Sequence, residues 1–556
     1  INQSFVVTRG GFAPPDGVAL EELTLPELFR AASVLGRALA SKARALYEVE
    51  PEDGPAAALR RARASARIDA SDRLINGCDV LNAHAPSIRR GGWTCHDALS
   101  IVRGQPQGVE SAAGDIAAYF FSFVPTPALV PYMGIESWDS AGQREILVYD
   151  RASMGPRFVP DYAQLQSAML AYASNLHTRR VLRSKNGRTD FMVDDFVTSA
   201  PPQGASGIAT AAGGSASAAG SSSVAAGEST ASADAIFGEL VKIQAEAGFA
   251  EARDKRLAGS TRGRRLGRIV DSVTGRVSLP AATLYRYITD LVIFTVLGRD
   301  AAMRVALMGK TCSVLAGKLN WLAASSALAD GRLSKLWAAS HAQQPSLFTG
   351  LMGGALEDAD WWAQQLGSGM LEPLQLLPPP GRLNLVITSS DASDVAVCAV
   401  VWRGQHSRGG VAVYRRLEAG GVDASAGISA REMLGTEDGV LEALSDDDFV
   451  ARELRGGERV HLVIALTDSQ CNAHGLTRGF MRASGSGDSL ARDSMRRTLA
   501  AAQLRGASVL GLAVPRECNR ASDAGSYAGS YSDAATALRE MGIRRVRDAS
   551  GAKGLH

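Results

Sequence analysis

The stretch FMVDDFV, residues 191–197, places two adjacent carboxylates, Asp194 and Asp195, between short apolar runs. Apolar residues on both sides of a central pair predict a β-hairpin with the acids at its tip. Paired aspartates often only cap a solvated turn, so the pair by itself is weak evidence for a site. Converging carboxylates are, however, the ligands that Mg²⁺ prefers. The hairpin is therefore a candidate metal site whose interpretation depends on the rest of the chain.

Size and composition predict a soluble protein of several domains. The chain has 556 residues, whereas a single hydrophobic core stops growing near ~250 to 300 residues. A hydrophobic content of 46% with 21% charged residues is ordinary for a globular protein, and a net charge of +2 is too small to indicate a partner. The apolar stretch 291–328 is interrupted by charged residues, which predicts two amphipathic helices and no membrane contact.

The six cysteines are scattered along the chain without a CxxC pair. This spacing argues against a disulfide framework and against a zinc ribbon, and it favours a reducing, intracellular compartment. Nuclear, cytoplasmic and organellar locations all remain open.

Composition alone separates several segments. Residues 1–71 are rich in Ala, Leu and Arg with helical spacing and predict an N-terminal helical extension. Residues 200–234 contain almost only Ala, Gly and Ser; since they cannot bury enough apolar surface to offset their ordering entropy, we expect a disordered insertion. Alternating strand and helix patterns predict a mixed-sheet domain over residues 381–530. A tail, residues 531–556, follows, and its arginines predict a solvated helix face, with contact to nucleic acid as the alternative.

Four acids of the predicted C-terminal domain fall near element ends: Asp391, Glu432, Asp468 and Asp523. Acids after strands commonly cap helices, yet the edge where strands of an open sheet end is also where sites form. The motifs around them, DAS at 391–393, REML at 431–434 and TDS at 467–469, make the series resemble the D-E-D-D acids of ribonuclease H.

This resemblance implies that the four carboxylates hold two Mg²⁺ ions during cleavage of RNA paired with DNA. In the family, glycines usually follow the first acid, whereas Val395 and Val397 stand here. The difference implies a changed turn or tighter packing.

With such a domain behind it, the first half of the chain resembles the right-handed fingers, palm and thumb of a reverse transcriptase, over roughly residues 70–526 in all. The motifs that carry the likeness are, in chain order, GDIAAYF at 114–120, the loop from Gly155 to Pro160, the pair Asp194-Asp195, Lys255, and LGRIVD at 266–271. GKLNW at 317–321, with Trp361 and Trp362, is most similar to DIRS-like, tyrosine-recombinase retroelements.

The resemblance also implies the domain order of a multidomain α/β (α+β) protein. Fingers and palm would occupy residues 72–199, the palm end with the primer grip 235–280, and a helical thumb and connection 281–375, before the ribonuclease H-like domain.

In the polymerase-like half the resemblance implies two further Mg²⁺ ions, bridged by Asp115 and Asp194 with Asp195 in support. The implied partners are an RNA template, a primer and dNTPs, with the RNA–DNA hybrid as substrate of the second domain. Tyr119 or Phe120 is expected beneath the incoming sugar as a steric gate, with a buried core aromatic as the alternative.

Other residues are implied to bind substrate. Arg73 is expected to cover the incoming nucleotide, because a guanidinium group can stack and bind phosphate; a salt-bridged surface arginine is the alternative. Gly155 and Pro160 are expected to grip the template, and Lys255 stands where the later palm lysine falls. The basic stretch 253–268 is expected to bind phosphates.

Several positions depart from the family. Asp115 precedes Tyr119 by four residues instead of five, Gly77 and Asp79 replace an acid and a cation in the fingers, and Met192 replaces the tyrosine of the hairpin motif. These departures leave a second hypothesis open. In it the chain is a domesticated, polymerase-inactive protein that keeps the fold and binds RNA as a structural component of a ribonucleoprotein.

Overall fold

The structure is a computed structural model, and it describes the chain between residues 3 and 550 with gaps. The described residues are 3–15, 18–77, 101–102, 105–128, 130, 134–138, 141, 143–148, 151–152, 159–184, 186–201, 231–326, 332–371, 373–378, 383–403, 410–418, 423, 426–445, 459–478 and 488–550. The chain divides into two compact units, residues 1–21 with 64–284 and residues 22–63 with 285–556.

Strands and helices are numbered in chain order. The strands are β1 (Gln3–Phe12), β2 (Arg67–Gly77), β3 (Glu110–Asp115), β4 (Gly134–Trp138), β5 (Arg144–Val148), β6 (Arg188–Met192), β7 (Asp195–Ala200), β8 (Leu257–Ser260), β9 (Arg262–Arg265), β10 (Arg268–Asp271), β11 (Arg276–Ser278), β12 (Leu374–Gln375), β13 (Leu385–Ala392), β14 (Ala396–Arg403), β15 (Val411–Arg416), β16 (Leu462–Thr467), β17 (Ser508–Ala513) and β18 (Arg545–Asp548). The helices are α1 (Leu25–Val49), α2 (Gly54–Ala64), α3 (Val159–Arg180), α4 (Ala233–Glu246), α5 (Ala281–Arg299), α6 (Lys310–Ala324), α7 (Ser334–Ser340), α8 (Pro345–Gly367), α9 (Ile428–Ala443), α10 (Gln470–Arg478), α11 (Asp488–Leu504), α12 (Arg520–Ser526) and α13 (Tyr531–Glu540).

The first unit is centred on a four-stranded antiparallel sheet of order β6-β7-β3-β8. α3 packs on β6, and α4 packs on β3 and β7. Phe196 of β7 links the two sides of this core, because its ring lies 5.2 Å from the ring of Phe191 and 5.2 Å from that of Phe237 on α4. The remaining strands of the unit form the ribbons β1-β2 and β4-β5 and the antiparallel run β9-β10-β11.

The second unit begins with a helical part made of α1, α2 and α5 to α8. α1 starts at a capping box in which the Thr24 N–H and hydroxyl both donate to the Glu27 carboxylate. The buried carboxylate of Asp290 on α5 pairs with Arg63 of α2 and with Lys318 of α6, so one acid joins three helices.

The predicted helical extension over residues 1–71 is therefore only partly helical. Gln3–Phe12 forms β1 and pairs antiparallel with β2, while α1 and α2 belong to the helical part of the second unit. The run of β-branched residues Val6, Val7 and Thr8 favours a strand over a helix, which the overall composition of the segment concealed.

The last six strands form one mixed sheet of order β17-β16-β13-β14-β15-β18. β13, β14 and β15 are antiparallel, whereas β16 and β17 run parallel to β13. α9 and α11 pack with one core of buried residues, and α12 and α13 pack with another that includes the alternate residues of β14. The predicted mixed sheet is confirmed, with helices on both faces.

The tail is part of this domain. α13 and β18 follow residue 530, and β18 pairs parallel with β15. The prediction of a solvated helix face for the tail arginines is wrong, because they lie around this strand and Arg547 forms an ion pair of 2.9 Å with the buried Glu442.

One described helix, α5, is long and apolar enough to span a membrane by length and composition, but about two thirds of it is buried inside the protein. Such burial is typical of a core helix. The two helices predicted within 291–328 correspond to the end of α5 and to α6. The predicted insertion, residues 200–234, lies mostly outside the described residues.

Candidate active sites

The two aspartates of FMVDDFV lie at the tip of a β-hairpin, as predicted. β6 and β7 are joined by a two-residue turn of Val193 and Asp194, and β7 begins at Asp195. On the other side of β7, Asp195 is the register partner of Asp115, the last residue of β3. The structure thus brings Asp115, Asp194 and Asp195 to one end of the central sheet; we call these three acids the hairpin cluster.

A helix holds the turn of the hairpin cluster in a strained conformation. Val193 has a φ of 58°, which a β-branched residue rarely adopts. Its N–H donates to Oε1 of Gln164 at 2.8 Å, and its carbonyl accepts a hydrogen bond from the Ser167 hydroxyl. Both partners lie on α3, one turn apart, and the Tyr119 hydroxyl bonds Ser167 at 2.8 Å. Gln164 and Ser167 therefore form a clamp that offsets the strain of Val193, typically about 1–3 kcal/mol for such a residue.

The three carboxylates of the hairpin cluster repel one another. Lys255 forms an ion pair with Oδ2 of Asp115, whereas Oδ1 of Asp115 is buried and accepts no hydrogen bond from the described residues. Burial, followed by repulsion from Asp115, raises the pKa of Asp194. Desolvation by the surrounding protein, together with repulsion from Asp194 and Asp115, raises the pKa of Asp195 to about 6, although this residue is exposed at one side. The site therefore holds more negative charge than Lys255 neutralises, and an additional cation would relieve the repulsion.

Of the two aromatic residues expected at the nucleotide sugar, Tyr119 is a core residue. It is 2% exposed, its hydroxyl donates to the Ala163 carbonyl at 2.9 Å, and burial raises its pKa to about 12. Its ring packs edge-on against Phe123 and Phe249. The buried-aromatic alternative thus describes Tyr119, while the neighbouring Phe120 is only half-buried.

Other predicted binding residues are placed less fully. Arg73 lies in β2, but its side chain is outside the described part of the chain, as is all of Gly155. Pro160 is exposed in the first turn of α3. The roles expected for these residues stay predictions.

The basic stretch 253–268 separates into surface and core residues. The exposed cations are Arg253, Lys255, Arg256, Arg262 and Arg264. Arg265 is buried and donates to the Ser111 carbonyl, and Arg268 is 1% exposed. Two of the residues expected to bind phosphates are therefore structural.

The four acids of the C-terminal domain come from four different elements. Asp391 lies in β13, Glu432 in α9, Asp468 directly after β16 and Asp523 in α12. β13 and β16 are parallel, and their register sets Ser389 opposite Leu466, two residues before Asp391 and Asp468. These two acids therefore meet at one edge of the sheet; with Glu432 and Asp523 they are called the sheet cluster below.

Two glycines allow α9 to lie directly on the sheet and bring Glu432 to this edge. A Cβ atom at Gly435 would lie 3.3 Å from the Asp391 carbonyl oxygen, and one at Gly439 would lie 3.1 Å from the Ala399 Cβ. Such distances are at the lower limit of ordinary contacts, so a larger side chain would push α9 away.

Buried acids on α9 anchor it further through ion pairs. Glu437 accepts two hydrogen bonds from Arg497 of α11, at 2.5 and 2.7 Å, and Asp438 pairs with Arg415 of β15. Removing one partner would leave an uncompensated buried charge, which is costly. In the sequence, the residues of these ion pairs cannot be distinguished from charged residues at the surface.

α12 docks on β13 through polar contacts. Asn519 Nδ2 donates to the Ser390 carbonyl at 2.6 Å, and the hydroxyls of Ser522 and Ser389 lie 2.5 Å apart. Ser526 donates to Oδ2 of Asp391 at 2.6 Å. Sequence reasoning missed this set, although residues 519, 522 and 526 recur at helical spacing.

The acids of the sheet cluster share one electrostatic environment. Burial raises the pKa of Asp391, and repulsion from Asp468 and Asp523 adds to the shift. Burial raises the pKa of Glu432 to about 7, again with repulsion from Asp468. Oδ1 of Asp468 is buried and accepts no hydrogen bond from any described residue.

The chemistry of both clusters fits Mg²⁺, which takes carboxylate oxygens. Each cluster contains a buried carboxylate oxygen, Oδ1 of Asp115 in one and Oδ1 of Asp468 in the other, to which none of the described residues donates a hydrogen bond. No three His, Cys, Asp or Glu side chains among the described residues lie close enough together to form a finished metal-binding group. Closing either cluster around a cation therefore requires its carboxylates to move closer together, against a repulsion that the cation itself would remove.

No protein-family model and no curated protein matches the chain. Three solved structures of a foamy viral protease-reverse transcriptase are similar to it, each at 12% sequence identity. The structure of its dRH form in complex with double-stranded DNA has a TM-score of 0.36, and the match covers 72% of this chain and 56% of that one. The complex with an RNA/DNA hybrid has a TM-score of 0.35, and the match covers 79% of this chain and 48% of that one. The complex with double-stranded DNA has a TM-score of 0.35, and the match covers 72% of this chain and 67% of that one. The chain thus spans about half the length of the first two, and TM-scores this low do not establish a shared fold.

Proposed function

We propose that the chain is an RNA-directed DNA polymerase joined to a ribonuclease H. The observation that carries the proposal is the presence of two clusters of mutually repelling carboxylates, built around the buried Asp115 and the buried Asp391. Each cluster also has a buried carboxylate oxygen that accepts no hydrogen bond from the described residues. Burying charges of like sign destabilises the folded protein, and such groups persist where a counter-ion neutralises them.

The hairpin cluster would be the polymerase site. Asp115 and Asp194 would hold two Mg²⁺ ions, with Asp195 in support. When bound, such ions lower the pKa of an attacking hydroxyl group and neutralise a leaving phosphate oxygen. The exposed cations of 253–264 would bind phosphates of template and primer, and Phe120, rather than the buried Tyr119, would face the nucleotide sugar.

The sheet cluster would be the ribonuclease H site, with Asp391, Glu432, Asp468 and Asp523 as Mg²⁺ ligands. That family is expected to have three antiparallel strands followed by two parallel strands. Its acids are expected on the first strand, on the first helix, directly after the fourth strand and on a late helix. This support comes from the order of β13 to β17 and from the position of each acid on it.

The polymerase half is tested by primer extension on an RNA template with Mg²⁺ and dNTPs. Wild-type protein is expected to extend the primer, and Asp194→Asn is expected to reduce the rate by about a thousandfold or more, as for loss of a group that acts mainly in the transition state. Extension by the wild type no greater than by the variant eliminates this half of the proposal.

The second half is tested on an RNA–DNA hybrid labelled in the RNA strand. Cleavage is expected from the wild type and from Asp194→Asn, but not from Asp468→Asn. Equal nicking by wild type and Asp468→Asn would mean that a contaminating nuclease, and not the sheet cluster, cuts the RNA.

One observation favours the alternative of a polymerase-inactive protein that binds RNA within a ribonucleoprotein. Lys255 already pairs with an oxygen of Asp115, which removes one metal-binding position. The lysine side chain is 53% exposed and so has room to leave. If RNA binds tightly while extension is absent under all divalent cations, the alternative replaces the polymerase proposal. Assignment to DIRS-like elements rests on residues 317–321 and the Trp361-Trp362 pair, and it stays a prediction.

A further inference from the structure

An arginine that belongs to none of the sequence motifs described above lies beside the sheet cluster. Arg516 stands in the short 3-10 turn Arg516–Cys518 that follows β17. Its Nε and Nη2 both donate to Oδ1 of Asp523, at 2.9 and 2.6 Å. Its charge also partly offsets the raised pKa of Asp391. The guanidinium group therefore acts on two of the four acids, Asp523 and Asp391.

Tyr527 fixes the orientation of this guanidinium group. Nη2 of Arg516 donates to the Tyr527 hydroxyl at 2.9 Å, and the guanidinium carbon lies 5.4 Å from the centroid of the same ring. The distance is within the range of a cation–π contact. Two partners, Asp523 and Tyr527, thus hold Arg516 in place. Asp523 lies in α12, the helix that docks on β13, and Tyr527 directly follows that helix.

The remaining amino group of Arg516, Nη1, has no hydrogen-bond partner among the described residues. The Arg516 side chain is 55% exposed. A planar guanidinium group that is held on one edge and open on the other is well suited to bind a phosphate group. An arginine that served only to neutralise Asp523 would not need the additional contacts with Tyr527.

The geometry points to Arg516 as the residue that binds a backbone phosphate of the nucleic acid entering the sheet cluster. This assignment rests on the proposed ribonuclease H function, because it is that function which brings a phosphodiester to the four acids. Arg516 would then be a substrate-binding residue whose positive charge reduces the repulsion between the acids and the phosphate. Asp523 and Tyr527 would be its positioning residues.

The test is binding of an RNA–DNA hybrid by fluorescence anisotropy over a range of salt concentrations, with Asp468→Asn in every protein so that the RNA stays intact. Each phosphate contact contributes about 0.9 to the slope of log affinity against log salt. Arg516→Gln is therefore expected to lower that slope by about one and to weaken binding on the order of tenfold, as for loss of one charge-assisted hydrogen bond. Arg539→Gln, which removes an exposed charge from α13, is the matched control and should leave the slope unchanged.

Arg516→Lys separates charge from shape. Lysine keeps the charge but not the planar fork, so the salt slope should stay near that of the parent protein while affinity falls several-fold. Thermal unfolding of each variant shows whether the fold is retained. An Arg516→Gln protein with the slope of Arg539→Gln overturns the assignment and leaves Arg516 as a structural partner of Asp523.

Failure of the proposed function gives a different pattern. If the protein with an intact sheet cluster cuts no hybrid, yet the slope still falls by about one in Arg516→Gln, the phosphate contact stands and the nuclease proposal does not. If cleavage occurs and depends on Asp468 while the slope is unaffected by Arg516→Gln, the nuclease stands and the phosphate contact does not.

Discussion

The hairpin cluster and the sheet cluster gather similar acids by different means. In the hairpin cluster, two of three carboxylates are adjacent in sequence, and one strained turn, held by Gln164 and Ser167, sets their position. In the sheet cluster every acid comes from a different element, and tight packing of α9 and α12 on β13 brings them together. The first depends on a few local hydrogen bonds, whereas the second depends on the packing of a whole domain. The two sites should therefore fail in response to different mutations.

Among substitutions of residues that support the two clusters, as distinct from the acids themselves, the largest effect is expected from overpacking under α9. Gly439→Val places methyl groups where a Cβ alone would already be 3.1 Å from Ala399, so α9 should shift and carry Glu432 with it. A displacement of about 1 Å at a reacting group costs roughly a hundredfold in rate, and overpacking itself destabilises by about 1–3 kcal/mol. Hybrid cleavage should fall by that factor while primer extension changes less than twofold.

Gly238→Ala is the matched control for this change, because a Cβ at that position of α4 meets nothing within 4 Å. It should leave both activities unchanged and stabilise the fold by up to about 1 kcal/mol, as expected for a helix-interior glycine. Equal losses of both activities in Gly439→Val would show that the two clusters are not independent.

A smaller effect is expected at the hairpin cluster. Gln164→Ala removes the acceptor of the Val193 N–H, and loss of such a buried hydrogen bond costs about 1–3 kcal/mol. We expect primer extension to fall on the order of tenfold, with hybrid cleavage unaffected. Glycine adopts a positive φ without strain, so Val193→Gly should restore much of the lost activity in the double variant. A double variant as impaired as Gln164→Ala would show that the clamp acts by some route other than the strained turn.

The smallest effect concerns pH and metal. A carboxyl group whose pKa is raised on folding binds its proton more tightly in the folded state, so the metal-free protein loses stability as the pH rises from about 4 through about 7. This window follows from the pKa of about 6 for Asp195 and about 7 for Glu432. Mg²⁺ should replace the protons, and the Tm increase on adding it should be larger at pH 8 than at pH 5.5 by a few degrees. Scanning calorimetry of the wild type and of an Asp195→Asn, Glu432→Gln double variant measures the difference, which the double variant should lack.

Much of the sheet cluster could be predicted from the sequence, because β-branched strands and acids at element ends give a pattern that is regular along the chain. Asp391, Glu432, Asp468 and Asp523 stand out in the sequence as one group near element ends, and the alternating strand and helix patterns predict the mixed sheet that positions them. Arg516 and Ser526 could not be predicted in their roles, because their contacts depend on the docking of α12, a packing that no local pattern records.

Less of the hairpin cluster could be predicted from the sequence. The turn was predicted from adjacent acids and apolar flanks, but the strain at Val193 and its two partners on α3 are visible only in three dimensions. Tyr119 could equally have faced a nucleotide or the core, since an aromatic residue after a strand suits both. At the N-terminus, helical composition concealed β1, because its strand partner lies more than fifty residues away.

Titration with Mn²⁺, followed by isothermal calorimetry, tests most directly whether two independent metal sites exist. The wild-type chain should show two classes of binding site. Asp115→Asn should remove one class and Asp468→Asn the other, each leaving the remaining class with unchanged affinity. Binding that is indifferent to both substitutions, or that disappears entirely with either one, would contradict the account.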